Sequence, residues 1–260
     1  MNIAAIILAA GRGSRMKELT ADTPKCLLEL AGRPLLHWQL DALRKASVQR
    51  SLVVTGYQGQ KLREHAAQWG FTTAENPDWA RTNMLSTLLC ADAFARECFS
   101  GDIAGIVVAY ADIAYSHRHV CDLAARGADI AITFDRQWES LWRLRFGDPL
   151  LDAETFRQEG GFLREIGGKP RSLDDIQGQY MGLLYFSKHG WQTLRTVCAD
   201  LGSKMDGTDM TTFLRELLTR HIPVATVPVA GQWCETDSAS DREKYETALA
   251  TGTWTHDWRS

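Results

Sequence analysis

The stretch Ile3-Ala4-Ala5-Ile6-Ile7-Leu8-Ala9-Ala10-Gly11-Arg12-Gly13-Ser14-Arg15, continued by Thr23-Pro24-Lys25-Cys26-Leu27-Leu28, decides how the rest of the chain reads. Residues 3–8 form an unbroken apolar run, too short for a membrane span and of the right length for a strand buried on both faces. The run ends in a loop. Gly11 and Gly13 let the backbone turn tightly and approach a ligand, and their N–H groups join the cations Arg12, Arg15 and Lys25 in facing a polyphosphate. Pro24 disfavours a long helix after the glycines and keeps Lys25 on an extended segment beside the loop. A Walker loop needs Gly-Lys-Ser/Thr where this chain has Ser14-Arg15-Met16-Lys17, and a dinucleotide fingerprint needs a third glycine where Met16 stands. The segment therefore reads as a phosphate cradle of another kind, with an ordinary strand-to-helix turn as the alternative.

Composition narrows the classes. The 260 residues are 45% hydrophobic and 23% charged, which fits a globular chain with a large core. A net charge of -3 without a Lys/Arg block argues against nucleic acid or a membrane surface as partner. The six cysteines lack Cys-x-x-Cys spacing, so neither a zinc site nor a disulfide framework is expected. No stretch reaches about 18 apolar residues and the N-terminus lacks a basic leader, so a cytoplasmic protein is expected.

Outward from the loop, strand and helix patterns alternate: a helix over Pro34–Lys45, a strand at Ser51–Thr55 ended by Gly56-Tyr57-Gln58-Gly59, a helix over Gln60–Trp69 and a strand at Phe71–Ala74. Such alternation predicts a largely parallel sheet with covering helices, whose ligands gather at the carboxyl ends of strands. Gly11 and Gln58 should then meet. Thr82 and Asn83, after the Asn76-Pro77 turn, suit the N-cap of a helix beginning at Ser86. The apolar run Ile103–Tyr110 delivers Ala111-Asp112 at its carboxyl end, where a carboxylate either caps a turn or holds a divalent metal over phosphates. Glu235 and Asp237, two apart on an extended segment, point the same way. His117 and His119 are read as solvent-facing, and Val224–Val229, flanked and interrupted by Pro223 and Pro228, as an edge strand.

The pattern Leu8-Ala9-Ala10-Gly11-x-Gly13-x-Arg15 with Thr23-Pro24-Lys25-Cys26-Leu27-Leu28 resembles nucleotidyltransferases that join a nucleotide to a phosphorylated small molecule. Gly56-Tyr57-Gln58, Asn76-Pro77, Thr82-Asn83-Met84 with Ser86-Thr87-Leu88, Gly178-Gln179-Tyr180-Met181-Gly182 and Glu235-x-Asp237 narrow this to a resemblance to cytidylyltransferases acting on phosphocholine and 2-aminoethylphosphonate, the Thr-Asn-Met form leaning to the phosphonate branch. The resemblance runs from about Ile3 to about Tyr245. It implies a Rossmann-like, GT-A type three-layer α/β sandwich with a mixed, mainly parallel sheet: one nucleotidyltransferase domain over residues 1–250 and a tail over 251–260.

The implied reaction moves CMP from CTP to a small phosphonate or phosphate, 2-aminoethylphosphonate favoured and phosphocholine next, releasing pyrophosphate with Mg²⁺. Leu8, Ala9, Ala10, Gly11, Arg12, Gly13, Gln58, Asn76, Thr82, Asn83, Ser86 and Ala111 are expected around the nucleotide. Arg15 and Lys25 are expected on the triphosphate, Lys169 on the acceptor anion, and Asp112 and Asp237 on the metal. Arg143, Tyr180, Trp233 and Glu235 are assigned to the acceptor; Trp138, Trp142 and Trp233 can meet an alkylammonium by cation–π attraction, and Asp135, Glu139, Asp174 or Asp175 can pair with an amine. An oligomer is left open. A sugar-1-phosphate nucleotidyltransferase shares the glycine loop and is the alternative enzyme; a non-catalytic nucleotide-binding regulator is the alternative of another class.

Overall fold

The structure, a computed structural model, describes residues 2–259. Strand β1 (Ile3–Ala9) is buried along its whole length, and its side chains alternate between two cores: Ile3, Ala5, Ile7 and Ala9 face one, Ala4, Ile6 and Leu8 the other. From β1 the chain passes through a small antiparallel pair, β2 (Glu29–Leu30) and β3 (Arg33–Pro34), to α1 (Leu35–Lys45), β4 (Arg50–Thr55), α2 (Gly59–Trp69) and β5 (Thr72–Glu75). Next come α3 (Met84–Leu89), α4 (Asp92–Ser100), β6 (Gly105–Tyr110), β7 (Ile113–Tyr115), α5 (His117–Ala125), β8 (Ile130–Asp135) and α6 (Trp138–Phe146). The second half adds β9 (Phe156–Glu159), β10 (Phe162–Ile166), β11 (Gln179–Ser187), α7 (Lys188–Leu201), α8 (Met210–Thr219), β12 (Ala225–Val229), β13 (Trp233–Glu235) and α9 (Ala239–Thr251).

Nine strands form the main sheet in the order β5-β4-β1-β6-β11-β8-β12-β10-β9. Strands β5, β4, β1 and β6 run parallel, as do β8 and β12; β11 is antiparallel to both its neighbours, and β10 to β12 and β9. Apolar residues of α1 and α5 fill the core on one face, and those of α3, α4, α7 and α8 fill it on the other. This is the three-layer α/β sandwich with a mixed, mainly parallel sheet that the sequence predicts.

A second, two-stranded ribbon positions the chemistry. Strands β7 and β13 pair antiparallel, Trp233 opposite Tyr115 and Glu235 opposite Ile113, and the Thr236 N–H donates to the Asp112 carbonyl at 2.9 Å. The residue that leaves β6 is thereby locked beside one that is 125 positions later in the chain, Asp237. Gly182 is demanded here for a different reason. It sits at φ +78° against the Tyr110 ring, 2.7 Å from where a Cβ would be, in the irregular stretch between Tyr180 and Leu184 of β11.

Three local expectations are corrected. Strand β12 lies inside the sheet, because it pairs with β8 along its length while β10 reaches it only at Ala225; the missing N–H of Pro228 therefore breaks no ladder on that side. Lys25 opens a short 3₁₀ turn, Lys25–Leu27, with only Pro24 extended before it. His119 is buried, whereas its neighbour but one, His117, is half-buried. No helix among the described residues is long and apolar enough to cross a membrane.

Burial lowers the His119 pKa to about 4; Asp135 pulls the other way, and His117 adds a smaller downward push. An unfolded chain binds this proton near pH 6.5, so the stability present above pH 6.5 is lost as the pH falls towards 4. In urea unfolding followed across that window, His119→Leu is expected to flatten the fall relative to the wild type. Parallel curves for the two proteins would place the proton uptake elsewhere.

Candidate active site

Lys25, Asp112 and Asp237 meet at the carboxyl end of the sheet. The Lys25 ammonium donates to Asp112 Oδ2 and to Asp237 Oδ1, both at 2.7 Å, and all three side chains are largely shielded from water. Burial alone would lower the lysine pKa, but the two carboxylates outweigh it and hold the ammonium protonated above its usual range. Burial pushes Asp237 up and is likewise overruled, by Lys25 first and then by Arg15 and Arg145, so that this carboxyl lies below its ordinary value. Gly13 at φ +66° supplies the close approach: a Cβ there would stand 3.0 Å from the Lys25 stem.

A second cation lies behind this junction. Arg145, with its side chain fully out of solvent, donates to Glu235 Oε2 at 2.8 Å, Asp237 Oδ2 at 3.2 Å and Asp241 Oδ1 at 3.3 Å. Asp241 in turn accepts from the N–H groups of Asp237 and Ser238 and completes a capping box that starts α9. The guanidinium thus fixes the loop carrying Glu235 and Asp237 from below, while Arg15 reaches Asp237 Oδ1 at 3.0 Å from the solvent side. Burial raises Glu235, and Asp237 beside it adds to the shift, against the pull of Arg145.

Asp112, Glu235 and Asp237 each offer an oxygen within 4.8 Å of the others, and Asp112 Oδ1 is buried with no hydrogen-bond partner. An all-oxygen set with an orphaned carboxylate oxygen suits a hard divalent cation such as Mg²⁺. Glu235 belongs to this set by position, although the sequence reading gave it to the acceptor.

Beside the junction lies a cavity of about 270 Å³. Its walls include the predicted Leu8, Ala9, Ala10, Gly11, Gly13, Arg15, Lys25, Thr82, Asn83, Ala111 and Asp112. Asn83 lines it and also caps α3, accepting from the Met84 N–H at 2.8 Å, so the two uses coexist. Asn76 and Ser86 stand one layer back: Asn76 donates to the Thr82 and Thr87 hydroxyls at 3.0 Å, and Ser86 donates to Asp206 at 3.0 Å. Gln58 caps α2 in a left-handed conformation, next to Tyr57, whose N–H donates to the Ala10 carbonyl at 2.9 Å; the Arg12 guanidinium stacks over the Tyr57 ring. Met84 of the Thr-Asn-Met form also lines the wall, as do Trp79 and Tyr110, to which the sequence reading gave no site role. Cys26, also in the wall, is kept as an inert thiol by burial, with its pKa pushed up to about 12.

Other predicted residues lie apart from this cluster. Arg143 is exposed and paired with Glu139 at 2.6 Å. Trp233 is buried and donates to Asp135 Oδ2 at 2.9 Å; Trp138 and Trp142 are also buried, so none of the three offers a face to an alkylammonium. Asp135 is fully buried, bonded to Trp233, the Gly231 N–H and His256. Asp174 and Asp175 sit in a short turn that Asp175 caps. Lys169 is exposed on the loop after β10. Tyr180 packs edge-on against Tyr110, with ring centroids 5.8 Å apart.

Comparison with known proteins agrees with this geometry. The MobA-like NTP transferase domain matches residues 5–205. The CTP:phosphoglutamine cytidylyltransferase of Campylobacter jejuni is 34% identical over 92% of this chain and 97% of its own length. The choline-phosphate cytidylyltransferase of Haemophilus influenzae is 35% identical over 36% of this chain and 41% of its own. Among solved structures, the CTP:phosphocholine cytidylyltransferase of Streptococcus pneumoniae superposes with a TM-score of 0.68 at 18% identity, covering 96% of this chain and all of that one, which speaks for a shared fold. These matches, with the glycine loop and the carboxylate cluster in place, make the chain a nucleotidyltransferase of the MobA-like NTP transferase family.

Proposed function

We propose that this enzyme transfers CMP from CTP to a small phosphonate or phosphate bearing an amine, and releases pyrophosphate. The junction of Lys25 with Asp112 and Asp237, on the wall of a cavity that the glycine loop also lines, carries this reading. CTP as donor is supported by the relatives named for it. Trp79 offers an aromatic face to the base, and the N–H groups about Gly11 and Gly13 meet the phosphates.

Arg15 and Lys25 bind the triphosphate and balance the charge that builds on the departing pyrophosphate. The acceptor oxygen is anionic near neutral pH, so it needs alignment behind the α-phosphorus rather than a general base. Asp112 and Asp237, with Glu235, would hold Mg²⁺, which supplies Lewis-acid stabilisation of phosphate charge when bound. Lys169 is retained for the acceptor anion, which requires its loop to approach the junction.

The amine is argued from charge. Asp152 and Glu154 lie on the segment before β9, where Asp152 feels the charges of Arg145, Asp237 and Arg15, and Glu154 those of Asp209 and Asp152. Carboxylates beside the phosphate-binding cations favour an acceptor that also carries a positive group. Among such acceptors the Thr82-Asn83-Met84 form supports 2-aminoethylphosphonate.

With CTP and Mg²⁺, pyrophosphate release is expected with 2-aminoethylphosphonate, phosphocholine or phosphoglutamine, the first fastest, and not with glucose 1-phosphate. Turnover of the sugar phosphate alone would overturn the acceptor class, and equal use of UTP would overturn the donor. Lys25→Met is expected to lower kcat about a hundredfold or more. Arg145→Met, which strands buried carboxylates, should cost about 3–5 kcal/mol of stability as well as activity, with Arg145→Lys recovering part of each. Wild-type stability in Arg145→Met would remove Arg145 from its structural role.

A further inference from the structure

The cations of this chain already hold most of the oxygens that Asp112 and Asp237 would offer to an ion. The Lys25 ammonium donates to Asp112 Oδ2 and to Asp237 Oδ1, both at 2.7 Å. Arg15 reaches the same Asp237 Oδ1 at 3.0 Å, and Arg145 donates to Asp237 Oδ2 at 3.2 Å. Of these two carboxylates only Asp112 Oδ1 is left without a hydrogen-bond partner. A divalent ion joining the two residues would therefore meet a cation at whichever oxygen of Asp237 it used. Like charges so close, on side chains largely shielded from water, repel strongly.

The three cations differ in their freedom to leave. Arg145 is out of solvent and is spread over Glu235, Asp237 and Asp241, and it is not part of the nucleotide cavity wall. Lys25 and Arg15 do line that cavity, together with Gly11 and Gly13. The lysine stem runs along the glycine loop: a Cβ on Gly13 would stand 3.0 Å from both Cβ and Cδ of Lys25. Its ammonium can thus exchange a carboxylate for a phosphate on the loop by turning side-chain torsions. Arg15, with a side chain 68% exposed, is freer still.

We propose that Lys25, assisted by Arg15, is a guard on the carboxylate junction: it keeps Asp112 and Asp237 from a divalent ion until a triphosphate draws the ammonium away, so that ion and nucleotide bind as a pair. The inference rests on the reading of Asp112 and Asp237 as ion ligands and of Lys25 as a triphosphate contact. By linkage, the factor by which the nucleotide strengthens the ion is the factor by which the ion strengthens the nucleotide. A junction guarded in this way is closed to the ion alone.

Mn²⁺ titrated into the full chain without nucleotide, with bound ion read by electron paramagnetic resonance, tests the guard. The wild type is expected to hold Mn²⁺ weakly. Lys25→Gln, which removes the competing charge, should bind one ion about tenfold or more tighter, and adding Asp112→Asn to it should abolish the gain. Mn²⁺ alone should also raise the unfolding temperature of Lys25→Gln and leave that of the wild type unchanged. Equal nucleotide-free affinity in the wild type and Lys25→Gln would overturn the proposal. So would a tightly held ion in the nucleotide-free wild type that Asp112→Asn removes, a result that stands on its own where Lys25→Gln does not fold. Retention of Mn²⁺ by the wild type with CTP is the separate check on the ion-ligand reading: its failure would remove that reading, whereas its success with equal nucleotide-free affinities would remove only the role given to Lys25.

Discussion

An ammonium held between two carboxylates from distant parts of the chain is the contact on which the rest of the site depends. Lys25 reaches it from the turn after the glycine loop, Asp112 from the end of β6 and Asp237 from the end of the β7–β13 ribbon. Each arm has its own support: Gly13 leaves room for the lysine stem, the parallel pairing of β1 with β6 sets the height of Asp112, and the Thr236 N–H ties Asp237 to the Asp112 backbone. Three buried charges are tolerable only together. Removing one strands the others, which is why the contact specifies the relative placement of loop, sheet and ribbon.

Arg145 extends the same logic one layer inward. Four carboxylates, Asp112, Glu235, Asp237 and Asp241, face three cations, Lys25, Arg145 and Arg15, so the cluster carries an excess of negative charge when all are ionised. That excess suits a site that accepts a divalent cation together with a polyphosphate, because the ion brings the missing charge. The adjoining cavity differs in kind. Arg15, Lys25 and Asp112 line it on one side, and Leu8, Trp79, Met84 and Tyr110 give it apolar and aromatic wall.

Much of this was legible in the sequence, for definable reasons. A strand buried on both faces leaves an unbroken apolar run, so β1 and β6 announce themselves, and the glycine loop follows from β1. The contact between residues 112 and 237 leaves no local trace; only resemblance linked them. Arg145 was passed over in favour of Arg143 because residues two apart in a helix lie about 200° apart, and nothing in Trp142-Arg143-Leu144-Arg145 says which arginine faces inward. The structure turns Arg143 to Glu139 in solvent and Arg145 to the cluster. The same geometry separates His117 from His119 on α5: two such positions seldom share a face, so only one of them stays at the surface while His119 turns inward. The tryptophans misled for another reason: aromatic side chains pack more often than they bind, and Trp233 spends its one donor on the buried Asp135.

The central claim is that Asp112 and Asp237 form one ion-binding junction with the nucleotide phosphates. Mn²⁺ binding followed by electron paramagnetic resonance in the presence of CTP, on the wild type, Asp112→Asn and Asp237→Asn, tests it most directly. The account predicts one protein-bound ion per chain in the wild type and a loss of about tenfold or more in affinity in each variant. Undiminished Mn²⁺ binding in both variants would contradict it.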